Sequence, residues 1–85
     1  MSREDNYKFI FTSKLHADLK EKVHGGVFCR VIDEKLIVEI DNGNLHFGMT
    51  FDYFTGRIHS GWSVTHAAYE VMKEYKKFVN SWYFK

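Results

Sequence analysis

Eighty-five residues with a formal net charge of +1 can hold one hydrophobic core but not two, so a single domain spanning residues 1–85 is expected. Apolar residues make up 45% of the chain and aromatics 18%, which argues against disorder and supplies large side chains for a core. The near-neutral charge gives no global field toward nucleic acid or anionic membrane.

Cys29 is the only cysteine, so no intramolecular disulfide can form. No segment reaches the roughly 20 continuous apolar residues of a membrane span, and Met1-Ser2-Arg3-Glu4-Asp5-Asn6 lacks the apolar run of a signal peptide. A cytoplasmic setting is the expectation. Proline, internal repeats and low-complexity runs are absent.

In chain order, Tyr7-Lys8-Phe9-Ile10-Phe11 reads as an edge strand or as the lead-in to a helix. Ser13 is a reasonable N-cap, and Leu15, Leu19 and Val23 then fall at four-residue steps on a short helix. Gly25-Gly26 ends it. Val27 to Ile32 is β-branched and apolar apart from Arg30, and predicts a central strand.

Leu36-Ile37-Val38-Glu39-Ile40 and Leu45-His46-Phe47-Gly48-Met49-Thr50-Phe51 flank Asp41-Asn42-Gly43-Asn44, a β-hairpin signature. A type I′ turn on Asn42-Gly43 sets Ile40 opposite Leu45, Val38 opposite Phe47 and Leu36 opposite Met49. All six lie on one face, and Glu39 meets His46 on the other. Tyr53-Phe54-Thr55-Gly56 then suggests a turn, with Arg57 to Ser60 returning as a short fourth strand. Ser63 or Thr65 can cap a last helix whose stripe runs through Val64, Ala67, Ala68, Val71, Met72, Tyr75, Phe78, Val79 and Trp82. The expected fold is α+β: an antiparallel sheet of three or four strands packed by a long C-terminal helix, with a short N-terminal helix.

No catalytic constellation emerges. The five histidines and Cys29 lack metal-ligand spacing, so neither a metal nor another cofactor is expected. His59 and His66 could approach each other only across the turn before the last helix. Glu39 beside His46 reads as a surface pair rather than a dyad. Cys29, in a strand, reads as a small core residue rather than a nucleophile. Nucleotide-binding and hydrolase motifs are missing, and an enzyme is not expected.

Two binding surfaces remain. Ile37, Phe54, Ile58 and Trp62 would lie on the sheet face away from the helices and mark contact with a protein partner or with a second copy of the chain. As the alternative, Lys73, Lys76, Lys77 and Lys85, with Tyr69, Tyr83 and Arg57, could hold phosphates and stack on bases. Glu70 and Glu74 dilute that field.

The order helix, three or four strands, helix is similar to a double-stranded-RNA-binding domain, with Gly61-Trp62-Ser63-Val64-Thr65-His66-Ala67-Ala68 in the place of that family's loop and second-helix start. That family clusters lysines at the helix start, whereas Ser63, Val64, Thr65 and His66 stand here, so no RNA-binding residue carries over. The last quarter, Tyr69-Glu70-Val71-Met72-Lys73-Glu74-Tyr75-Lys76-Lys77-Phe78 and Trp82-Tyr83-Phe84-Lys85, resembles small uncharacterised proteins of bacterial phages and conjugative elements. That resemblance implies a regulatory, host-takeover or anti-defence role exerted through binding.

Overall fold

A computed structural model describes residues 3–83. Helix α1 (Arg3–Lys22) leads into strands β1 (Gly26–Ile32), β2 (Lys35–Asn42) and β3 (Leu45–Phe51). A short helix α2 (Phe54–His59) and the long helix α3 (Val64–Tyr83) follow. The sheet is antiparallel in the order β1-β2-β3, and the fold is α+β.

Both long helices cover one face. Leu15 and Leu19 of α1 and Ala67, Ala68 and Val71 of α3 meet Val27, Leu36, Val38, Ile40, Phe47 and Phe51 in one core. Alternation along the strands explains the choice of face: on β2, Leu36, Val38 and Ile40 are sealed, while Ile37 and Glu39 between them are only partly covered.

Helix α1 is longer than expected. The stripe of Leu15 and Leu19 continues upstream to buried Phe11, so Ser13 lies in mid-helix, exposed, and is not an N-cap; residues 7–11 form helix rather than strand. The chain then turns at Gly25, where φ is 120° and a Cβ would stand 2.4 Å from the Asp41 carbonyl oxygen. Only glycine fits there.

The second hairpin keeps its predicted faces but slips by two residues. Asn42 pairs with Leu45, so the turn lies on Gly43-Asn44, with Gly43 alone supplying positive φ (64°). Ile40 therefore opposes Phe47, Val38 opposes Met49 and Leu36 opposes Phe51. This register brings Phe51 into the ladder against Leu36, a large apolar pair that the Asn42-Gly43 turn would leave out. Glu39 consequently faces Gly48, and His46 faces Asp41, with 4.0 Å between ring nitrogen and carboxylate.

The expected fourth strand is helix α2. Tyr53 adopts the left-handed conformation (φ 56°) and reverses the chain, after which Phe54 and Ile58, four residues apart, both turn toward the core. The first hairpin turn receives this helix: the Glu34 carbonyl accepts from Phe54 N–H (2.8 Å), and its carboxylate accepts from Thr55 N–H (3.3 Å) and Lys8 Nζ (3.2 Å). Hydrogen bonding from Thr55 and then Lys8 holds the Glu34 carboxyl below the usual carboxylate range. Phe11, Phe51, Phe54 and Trp62 close this end of the core as a set of ring contacts 4.9–6.3 Å apart.

Candidate functional site

Placing the predicted contact residues dissolves the first proposed surface. Phe54 is fully buried, Ile58 and Trp62 pack against the core, and only Ile37 looks out from the face away from the helices. The error follows from taking residues 57–60 as a strand: a period of two sends Ile58 outward, while the helical period sends it in.

The lysine face is real but separated from Arg57. Tyr69 is exposed on α3 together with Lys73, Lys76 and Lys77. Lys77 is 3.7 Å from Glu74, and Glu70 takes a bond from His66 (3.0 Å), so acidic partners neutralise part of the face. Arg57 is engaged elsewhere. Its guanidinium lies over the Phe51 and Trp62 rings (5.5 and 5.3 Å) and donates to the Asp52 carbonyl (2.7 Å). The start of α3 lies between it and Lys73, about 13 Å of helix. Lys85 lies outside the described residues, as does the side chain of Tyr83.

A third surface, which the sequence reading missed, is the free edge of β1. Strand β1 is an edge strand and not, as expected, a central one. Ile32 and Lys35 close its two-residue turn and form a hydrogen-bonded pair. Alternation from that pair aims the N–H and C=O groups of Val27, Cys29 and Val31 away from β2. Helix α1 meets this row at one point: His16 Nε2 donates to the Val27 carbonyl (2.8 Å). Beyond it, the outward groups of Cys29 and Val31 have no protein partner among the described residues.

Between α1 and this edge runs a groove of about 640 Å³. Lys8, Phe9, Thr12 and His16 form its helical bank, with Cys29 and Val31 at the strand. A smaller hollow of about 400 Å³ continues from His16 past Phe28 and Arg30 onto the outer sheet face at Ile37 and Glu39. Large apolar groups stand open on either side of the edge: Phe9 on α1 is 69% exposed, and Phe28 (56%) and Ile32 (47%) lie on the outer face of β1. Exposed apolar side chains beside unpaired strand groups are what an edge must bury or shield. Here no bulge or proline shields it.

Three charged side chains line the groove: Lys8 and Arg30, and Asp33 at the turn that ends β1. Lys8 is tied to Glu34, whereas the Arg30 side chain is 64% exposed and only loosely paired, 3.8 Å from Glu39. Burial pushes the Cys29 thiol up to about 11, so it stays protonated near neutral pH and is a poor nucleophile. The neighbouring His16 bonds to backbone. Among the described residues no group of three or more His, Cys, Asp and Glu could hold a metal ion, and no helix is long and apolar enough to cross a membrane.

Comparison with protein-family models, with curated proteins and with solved structures finds no match for this chain.

Proposed function

We propose that this chain is a non-enzymatic binding module that takes an extended segment of a protein partner along the free edge of β1. The observation that carries the reading is the outward row of Cys29 and Val31 backbone groups, set in a groove whose opposite bank is Phe9, Thr12 and His16. Strand addition supplies main-chain hydrogen bonds for affinity, and the two banks sort the side chains that alternate along the added segment. Phe28 and Ile32 lose exposed apolar surface when such a strand lies beside them.

A regulatory role through binding, of the kind implied by the resemblance of the last quarter to mobile-element proteins, accords with this reading. The lone Cys29, kept as a thiol, suits a reducing cytoplasmic setting.

The test is a nuclear magnetic resonance titration of the labelled chain with peptides selected from a random extended library. Shifts are expected at Thr12, His16, Cys29 and Val31. A Val31→Pro variant removes an N–H that the β1–β2 ladder does not use, so it should stay folded and bind at least tenfold more weakly. Peptide shifts confined to Tyr69, Lys73, Lys76 and Lys77 would overturn the reading. Salt-sensitive binding of an oligonucleotide at those residues would put the nucleic-acid alternative in its place.

A further inference from the structure

Resting on that reading, the chemistry of the recognised segment follows from the outward bank of β1. Along this bank Phe28, Arg30 and Ile32 stand in the order apolar, cationic, apolar, each partly or largely open to solvent. The N–H and C=O groups of Arg30 point toward β2, because Arg30 pairs with Ile37 two residues from the hydrogen-bonded Ile32 and Lys35. An added strand therefore meets Arg30 through a non-hydrogen-bonded pair, the geometry in which opposing side chains approach most closely. Its neighbours on the same face, two residues to either side, lie against Phe28 and Ile32.

The internal carboxylate nearest Arg30 among its ion pairs is Glu39, 3.8 Å away on β2. It lies on the side away from the incoming strand and leaves the guanidinium's other donors open. A carboxylate directly across from Arg30 would complete the fork, while a lysine or arginine there would meet like charge.

We infer that the module selects an extended protein segment with an acidic residue opposite Arg30, flanked on the same face by apolar residues that cover Phe28 and Ile32. The inward face of that segment packs against Phe9 and Thr12 and takes uncharged side chains, since the Lys8 charge on that bank is already paired with Glu34. On binding, the Val27 carbonyl keeps His16 or accepts an additional strand N–H through its second lone pair.

The probe is a short fluorescein-labelled peptide of alternating valine and threonine with one central aspartate, compared with the same peptide carrying lysine there. Fluorescence anisotropy should show the aspartate form binding about fivefold to tenfold more tightly. The preference should vanish in Arg30→Gln and reverse in Arg30→Glu. It should also fade in about 1 M salt, where the Debye length falls to about 3 Å. Both variants change an exposed side chain, and their unfolding midpoints check that the fold is intact.

Equal affinity for the two peptides, with shifts still at Cys29 and Val31, would overturn the acidic preference and leave edge binding standing. A preference that survives Arg30→Glu would do the same. Binding by neither peptide, or shifts away from β1, would bring down both.

Discussion

On β2, Leu36, Val38 and Ile40 point under the helices and are sealed from solvent, while Ile37 and Glu39, interleaved with them, look outward and stay partly wet. The same contrast runs across β1, where Val27 is buried and Phe28 is more than half exposed. Both faces carry large apolar groups, so composition alone does not distinguish them. What differs is the cover: among the described residues, two long helices lie on one face and none on the other. An apolar side chain under cover adds to stability, whereas one without it is available for a partner.

The sharpest way to break this comparison is to truncate neighbours on one strand. Leu36→Ala should cost about 2–5 kcal/mol in denaturant unfolding, through lost burial and the cavity left behind. Ile37→Ala, one residue on, should cost less than about 1 kcal/mol. Equal losses would mean that the outer face is covered after all.

Cys29 sharpens the inner side of the contrast. Its folded-state pKa, about 11, lies above its ordinary 9.0. The folded state therefore holds the thiol proton more tightly. The resulting stability is fully present below pH 9 and is lost as pH rises toward 11. Unfolding measured across that window should show wild type losing on the order of 1–2 kcal/mol that Cys29→Ala does not lose. Outside the core, Phe28→Ser should shift stability by no more than about 0.5 kcal/mol while weakening peptide binding at the edge.

The smallest effect belongs to Glu34, at the turn joining the two strands. Its carboxyl is held below the usual range by Thr55 and Lys8. A lowered folded pKa gives stability that is present above the unfolded value and is lost as pH falls through the folded one. Glu34→Gln should therefore flatten the acid limb of a thermal-unfolding series, leaving the neutral-to-alkaline part parallel to wild type.

Much of the inner face was legible in the chain. The parity of Leu36, Val38 and Ile40 against Leu45, Phe47 and Met49 survives the register slip, because a shift of two residues returns every side chain to its own face. Both Asn42-Gly43 and Gly43-Asn44 offer acceptable two-residue turns, and the distant Leu36–Phe51 pair favours the second. The α3 stripe was readable for a similar reason: many positions agree on one period, with Ala67, Ala68, Val71 and Tyr75 all buried.

Less of the candidate site could be read. Val27 to Ile32 shows the composition of a central strand, and nothing local reveals that no fourth strand among the described residues lies beside it. Edge status depends on what the rest of the chain does. Had Phe54 and Ile58 been read at helical spacing, α2 would have emerged, and with it the removal of both residues from the outer face.

Glu34 also bears on the order in which the molecule assembles. The six residues of α2 are too few to persist alone, and the helix hangs from a turn 21 positions earlier through Thr55. Glu34→Ala, which removes the carboxylate that the Thr55 N–H donates to, should speed unfolding and leave the refolding rate almost untouched if α2 docks after the first hairpin has closed. Helix α2 is thus expected to arrive late, seated by a residue laid down well before it in the chain.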